Sequence, residues 1–239
     1  HLDSMNDPFT DLDINAKAQL SILEACRKNN RDIRIVFAST RQIYGKPQYL
    51  PVDEKHPLNP VDVNGINKVA GEQYHLLYNQ VHEIRSSVLR LTNTYGPRMR
   101  IKDARQTFLG IWIRNLLEGK LIQVYGDGQQ RRDYNYVDDL VDALIIAATE
   151  NKAIGGVYNL GAPDPMSLSA TANIMCHGFE AASWNLIPFP KDRKAIDVGD
   201  FICDYSSFSS AFGWEPKIKF EEGIKRSLEY FRSELEHYI

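Results

Sequence analysis

A parallel α/β fold is predicted by three features of this 239-residue chain. Short apolar runs recur at Arg34-Ile-Val-Phe-Ala38, Ser87-Val-Leu-Arg-Leu91 and Gly156-Val-Tyr-Asn-Leu-Gly161, the pattern of parallel strands buried on both faces. Longer segments carry apolar residues at helical spacing. The two kinds alternate along the chain, which favours a parallel sheet joined by right-handed crossovers.

The elements follow in order. Thr10-Asp-Leu-Asp13 has the form of a capping box with Asp in place of Glu, and it opens a helix running to about Asn29. Leu12, Ala16, Leu20 and Leu23 fall on one face of that helix. The Arg34–Ala38 strand comes next. Pro47, Pro51, Pro57 and Pro60 make the stretch from Gly45 to Pro60 a loop. A helix carrying Lys68 follows, with Ile66, Val69, Ala70, Tyr74 and Leu77 available for packing.

After the Ser87–Leu91 strand and Gly96-Pro97, a basic polar loop (Arg98 to Arg105) leads to a helix around Thr107–Glu118 with Phe108, Ile111, Trp112 and Leu116 as core candidates. Leu121–Tyr125 forms a strand and Gly126-Asp-Gly128 a turn. Asp138 to Thr149 is an amphipathic helix through Leu140, Ala143, Leu144 and Ala147, with Asp138 or Asp139 as its cap. Helices are expected from Ser169 to about Phe179 and from Phe220 to Leu235, the latter facing inward with Ile224, Leu228, Phe231 and Leu235.

Composition narrows the function classes. A hydrophobic fraction of 43% and a charged fraction of 25% are ordinary for a globular protein. The net charge of -3 gives no electrostatic reason to expect nucleic acid or an acidic membrane as partner. No apolar run approaches the roughly 20 residues that cross a bilayer. Cys26, Cys176 and Cys203 are an odd count without metal-type spacing, which suits a reducing cytoplasm. The six histidines show no ligand-type pairing, so no metal is expected, and no Gly-x-Ser-x-Gly elbow supports serine hydrolysis.

Four motifs in chain order carry a resemblance: Phe37-Ala-Ser-Thr-Arg-Gln-Ile-Tyr-Gly45, Arg90-Leu-Thr-Asn-Thr-Tyr-Gly-Pro97, Gln130-Arg-Arg-Asp-Tyr-Asn-Tyr-Val-Asp-Asp139 and Ala211-Phe-Gly-Trp-Glu-Pro216. Together they resemble the extended short-chain dehydrogenase/reductases, in particular the NAD-dependent nucleotide-sugar epimerase/dehydratase family. That resemblance implies a Rossmann-like doubly wound parallel sheet with a smaller, interleaved substrate-binding part. Residues 1–98 are then the remainder of the dinucleotide-binding domain. Residues 99–239 are mostly the substrate-binding part, with segments near 130–162 returning to the sheet. No glycine precedes Gly45, so the Gly-rich pyrophosphate turn is absent. The segment from His1 to Pro8 resembles the loop after the fourth strand of these enzymes, and the chain is expected to lack the first strands.

In this family a Ser or Thr binds the reacting sugar oxygen, and a Tyr-x-x-x-Lys helix supplies a phenol that moves the proton and a Lys that holds the nicotinamide ribose. The resemblance assigns these places to Thr40, Asn64 and Lys68, so Asn64 stands where the Tyr is expected. An amide does not titrate near neutral pH. Proton transfer then falls to another group, with Tyr44 the nearest phenol in sequence, or Asn64 marks a protein that kept ligand binding alone. Sugar-nucleotide 4,6-dehydratases resembling the chain carry Asp-Glu after the Thr. Here Arg41 and Gln42 stand there, which argues against that reaction and makes both candidate substrate contacts.

By the same resemblance Asn93 and Arg132 hold the substrate diphosphate, with Lys194, beside Arg193, as a weaker second basic ligand. The implied cofactor is NAD or NADP in a full-length protein, with weak or no binding in this chain. The implied partner is a nucleotide-sugar, and the expected homodimer forms through Thr10–Asn29 and Asn67–Val81. The expected activity is hydride chemistry at a sugar carbon, with a non-catalytic nucleotide-sugar-binding or scaffold protein as the alternative. The Phe-Gly-Trp-Glu-Pro motif is expected to be structural.

Overall fold

The computed structural model describes residues 2–103, 107–177 and 182–238, apart from the side chains of Leu2 and Asp192. The chain opens with α1 (Leu2–Asn6) and α2 (Pro8–Leu12), continues through a π-helical turn (Asp13–Lys17) and runs on as α3 (Ala18–Asn29). The first residues are therefore helical where a loop was expected. Asp7 is the cap of α2, not Thr10: its carboxylate accepts the Thr10 N–H at 3.1 Å, and Pro8 fills a position whose N–H has no helical partner anyway. The wide turn also changes the phase of the apolar stripe. Ala16 and Leu23 are buried and Leu20 packs beside them, while Leu12 points outward.

Strand β1 (Arg34–Thr40) pairs in parallel with β2 (Arg85–Leu91). Between them lie a 3₁₀ turn (Arg41–Tyr44), the proline-rich loop and α4 (Val63–His82). The buried face of α4 is not the apolar one that its spacing suggested. Gly65, Asn67, Gly71, Glu72 and His75 turn inward, whereas Ile66 and Leu77 are exposed. The cause is close approach to the sheet. A Cβ at Gly71 would sit 2.7 Å from the Phe37 ring, and that ring stacks on His75 at 4.8 Å.

After β2 come β3 (Asn93–Tyr95), α5 (Phe108–Leu117), β4 (Ile122–Tyr125), β5 (Arg131–Arg132), β6 (Tyr134–Tyr136), α6 (Val137–Thr149) and β7 (Val157–Leu160). Strand β7 adds to β2 in parallel, giving the order β1-β2-β7, and β3 pairs in parallel with β6. Helices α4 and α6 both pack on this sheet. Strand β1 pairs with β2 alone among the described residues, and Ala38 stays exposed, so this run is not buried on both faces throughout.

The rest is β8 (Met166–Ser167), α7 (Leu168–His177), β9 (Trp184–Ile187), α8 (Lys191–Ala195), α9 (Ser206–Phe212) and α10 (Phe220–Glu234). The largest apolar cluster joins Leu109, Trp112, Ile113 and Leu116 of α5 to Ile122 and Val124 of β4 and to Ile224, Leu228 and Phe231 of α10. No side chain caps α6. Asp139 is buried, and its carboxylate accepts the Ile218 N–H at 2.9 Å while its carbonyl accepts the Trp214 indole N–H at 3.0 Å. This anchor explains the Phe-Gly-Trp-Glu-Pro segment as packing. No described helix is long and apolar enough to cross a membrane.

Candidate functional site

The site begins where β1 ends. Thr40 has extended backbone, and its hydroxyl oxygen accepts the Gln42 N–H at 3.3 Å, which starts the tight turn through Arg41–Tyr44. Gly45 closes that turn at φ +63, and a Cβ there would fall 1.9 Å from the Asn59 carbonyl, so the position admits only glycine. The turn sends Arg41 one way and Tyr44 the other.

Tyr44 enters a closed network. Its hydroxyl donates to Asn159 Oδ1 at 2.6 Å and accepts from Arg90 at 2.8 Å. Arg90 in turn grips Glu72 with two bonds of 3.1 and 2.8 Å. Burial pushes the phenol far above its ordinary pKa, despite the adjacent Arg90 charge. Tyr44 is thus tied into the framework, its proton engaged with Asn159 and its ionisation disfavoured by burial. The Arg at the head of the Arg-Leu-Thr-Asn-Thr-Tyr-Gly-Pro run is structural for the same reason.

Arg41 reaches Asn93 at 3.4 Å and lies 5.3 Å over the Phe201 ring. Asn93, the first residue of β3, donates to the Asp133 carbonyl at 2.9 Å, which ties β3 to the β5–β6 corner. Arg132 is buried there, bonded to the carbonyls of Arg131 (2.8 Å) and Gly199 and lying 3.4 Å from Asp197. Burial, together with repulsion from Arg132, brings the Arg41 pKa down to about 10.

Several buried polar atoms here have no hydrogen-bond partner in the protein: Arg41 Nη1, Gln42 Oε1, both Asp133 carboxylate oxygens and both ends of the Asn135 amide. Burial raises the Asp133 carboxyl to about 6, opposed by its own and the Ala162 N–H, which approach the carboxylate outside hydrogen-bond geometry, and by the Arg41 and Arg132 charges. Unpaired groups of this kind cost folding free energy unless a ligand meets them. Sequence reasoning passed over Asp133, although it sits beside Arg132 in a quoted motif.

Lys194 does not join this group. It is exposed on α8, and it is Asp197, three residues on, that meets Arg132. Arg193 lies 5.4 Å over the Tyr125 ring.

Asn64 and Lys68 share one face of α4, one turn apart, with Asp62 capping the helix through the Gly65 N–H at 2.7 Å. The Lys68 ammonium donates to the Ala38 carbonyl at 2.9 Å and lies 4.9 Å over Phe37. Burial lowers its pKa, opposed by the charges of Asp11 and Glu72. The Asn64 amide does not stand free: it donates to Asp11 Oδ2 at 3.0 Å, and Asn67 donates to Asp11 Oδ1 at 2.8 Å. Asp11 was hidden in the segment taken for a capping box. Among the described residues no group of three or more His, Cys, Asp or Glu is placed to hold a metal ion.

Comparison with known proteins places these features. Residues 1–161 match the NAD dependent epimerase/dehydratase family. The chain is 35% identical over 231 residues to a protein described as a putative UDP-glucose 4-epimerase of Methanocaldococcus jannaschii, spanning 96% of this chain and 73% of that one. It superposes on the UDP-glucose 4-epimerase of Thermotoga maritima, solved with UDP-glucose, at TM-score 0.86 and 29% identity, over 97% of this chain and 74% of the other. The Thermus thermophilus UDP-glucose 4-epimerase, solved with NAD, gives TM-score 0.82 and 29% identity over 96% and 73%. The Rossmann-like sheet, the four ordered motifs and this match agree: the chain belongs to the NAD-dependent epimerase/dehydratase family of extended short-chain dehydrogenases/reductases.

Proposed function

We propose that this chain is the substrate-gripping and proton-handling portion of an enzyme that oxidises a nucleotide-sugar hydroxyl and later reduces the carbon again, as in epimerisation. The observation that carries the reading is the meeting of Arg41, Asn93, Arg132 and Asp133 beside Thr40, with buried polar atoms left for a ligand. Arg132 and Asn93 hold the diphosphate, the guanidinium acting as a planar fork and the amide as a further donor. Arg41 and Gln42 contact the sugar. Thr40 takes the Gln42 N–H on its oxygen and keeps its own O–H to donate to the reacting sugar oxygen.

The residues present fit a nicotinamide dinucleotide at its ribose end. Lys68 presents a half-buried ammonium beside the β1 edge, suited to ribose hydroxyls. When bound, NAD or NADP would supply a hydride acceptor. The pyrophosphate cradle is not among these residues, because no glycine precedes Gly45. Residues 1–98 are then the dinucleotide-domain part and 99–239 mostly the substrate part, with 130–162 bridging back to the sheet. A cytoplasmic homodimer accompanies this reading. Both helical segments proposed for its interface carry exposed apolar residues, Ile14 and Ile22 on one and Leu77 and Val81 on the other.

Calorimetric titration with UDP- and dTDP-sugars, paired with turnover by the full-length protein, tests this. Saturable binding that Arg132→Ala weakens about 10–100-fold, with turnover of a bound sugar, is expected. No binding of any nucleotide-sugar would overturn the reading. One observation favours the alternative of a non-catalytic nucleotide-sugar-binding protein: the Asn64 amide is bonded within the protein. Tight binding without turnover is its signature.

A further inference from the structure

Asn64 and Asn67 lie three residues apart on α4, and both amides close on one carboxylate from another helical segment, one on each oxygen. The hydrogen bond extends the short Asn64 side chain, so a charged oxygen stands 3.0 Å beyond it. A tyrosine at residue 64 would carry its hydroxyl outward by a similar span. The Lys68 ammonium feels the Asp11 charge, as a lysine beside an ionised phenol would. Two segments thus bring the Asp11 carboxylate, held by Asn64 and Asn67, within electrostatic reach of the Lys68 ammonium.

Resting on the nucleotide-sugar reading above, we propose that Asp11 is the group that takes and returns the proton, held in place by Asn64 and Asn67. In the forward step the sugar O–H bond breaks and its proton passes to an Asp11 carboxylate oxygen. The C–H bond breaks with its electron pair, which leaves as hydride to a nicotinamide dinucleotide. The carbinol is oxidised to a carbonyl and the dinucleotide is reduced. In the return step the carbonyl carbon regains the hydride and its oxygen regains the proton from the Asp11 carboxyl.

Three features suit Asp11 to this work. Two neutral amide donors fix the plane of the carboxylate without cancelling its charge, and each oxygen keeps acceptor capacity. Asp11 is half-buried, open enough to meet a ligand. The charges on the elements packed against it are also largely engaged elsewhere. Lys17 pairs with Asp13 at 3.0 Å and Glu72 with Arg90, while Arg100, whose charge Asp3 supports, is bonded to Asp103. His75, on the same α4, stacks on Phe37 and is held neutral by burial, with a pKa near 4. Lys68 remains as the cation whose charge Asp11 shares.

The test uses the full-length protein and the variants Asp11→Asn, Asp11→Glu and Asp11→Asn combined with Asn64→Tyr. For Asp11→Asn, nucleotide-sugar affinity by calorimetry should stay within about threefold while kcat falls roughly 10²–10⁴-fold, the usual worth of a general base. The acid limb of the kcat/KM profile should vanish with it. Asn64→Tyr in that background should restore turnover by supplying a phenol. As a readout independent of turnover, the Asp11 carboxyl ¹³C titration should move when UDP-sugar binds.

Unchanged kcat and pH profile in Asp11→Asn, with binding intact, overturns the assignment and leaves the nucleotide-sugar reading standing. So does an Asp11 carboxyl whose titration ignores the bound sugar, whereas a wild-type protein that binds but never turns over overturns both the assignment and the catalytic reading and leaves the non-catalytic one. If Asp11→Asn does not fold, Asp11→Glu and the titration decide alone: a glutamate variant of unaltered pH profile, or an unmoved titration, overturns the proposal. Failure of the wild type to bind any nucleotide-sugar removes the reading itself.

Discussion

The turn from Arg41 to Tyr44 feeds two buried polar regions that are organised in opposite ways. On the Tyr44 side every group finds a protein partner: Glu72 holds Arg90, Arg90 meets Tyr44, and Tyr44 meets Asn159, whose amide donates to the Val52 carbonyl at 3.0 Å. On the Arg41 side Gln42, Asp133 and Asn135 are as deeply buried and Arg41 is partly so, yet all four leave polar atoms unmatched. A closed network stiffens a fold, whereas an open one is a folding cost that a ligand can repay. The two regions thus differ in satisfaction, not in polarity, and the proposed function reads the unsatisfied one as the receptor.

The sharpest way to break this contrast is to cut the closed network. Glu72→Ala leaves Arg90 charged and buried without its carboxylate, and loss of one partner of such a pair typically costs about 3–5 kcal/mol. Urea unfolding of the variant should show that loss. A drop below about 1 kcal/mol would mean that the network is not the framework.

Asp133 offers the next largest effect, of opposite sense. Its carboxyl rises from 3.8 to about 6 on folding, so the folded chain holds a proton that the unfolded chain has released in between. Stability should therefore fall as pH rises from about 4 to about 6, then level off. A shift of this size corresponds to roughly 3 kcal/mol. Asp133→Asn removes the slope, so its stability relative to the wild type should improve across that window. Urea melts at pH 4 and pH 7.5 measure it, and parallel curves for the two proteins would refute the assignment.

Arg41 and Arg132 come third. On the proposed reading each would supply charge-assisted hydrogen bonds, Arg132 to the diphosphate and Arg41 to the sugar, worth about 1.5–3 kcal/mol apiece, or some 10–100-fold in affinity. Arg41→Ala should lose that affinity for UDP-sugars with little loss of stability, because the wild-type guanidinium is buried with a nitrogen unpartnered. Equal losses of stability and affinity would place Arg41 in the framework instead.

How much of this was legible in the sequence depends on the kind of signal. The apolar runs Arg34–Ala38 and Ser87–Leu91 announced strands that extend over Arg34–Thr40 and Arg85–Leu91, because burial favours an apolar strand. Three of the four motifs pointed to Thr40, Asn93 and Arg132 through the family resemblance, at strand ends and turns. The inward face of α4 was misjudged because glycine and paired polar groups, not apolar ones, meet the sheet there. Asp11 was invisible because its meaning lies in Asn64 and Asn67, more than fifty positions away. The π-helical turn leaves no periodic trace beyond a stripe that slips out of phase at Leu12. Lys194 was placed by motif order alone, and the short α8 turns it outward.

Gln42 gives the smallest effect and the finest test of the contrast. It sits on the boundary between the two regions, buried, with its Oε1 unmatched. Methionine has nearly the same volume and no acceptor to desolvate, so Gln42→Met should leave stability unchanged or raise it by about 1 kcal/mol. Had Gln42 belonged to the framework, the same change would break a satisfied bond and lower stability by a similar amount. The sign therefore decides what the magnitude cannot. If Gln42 faces the sugar, the variant should also bind UDP-sugars several-fold more weakly, with melting temperature and affinity moving in opposite directions. A framework residue cannot produce that pairing, because there stability and binding fall together.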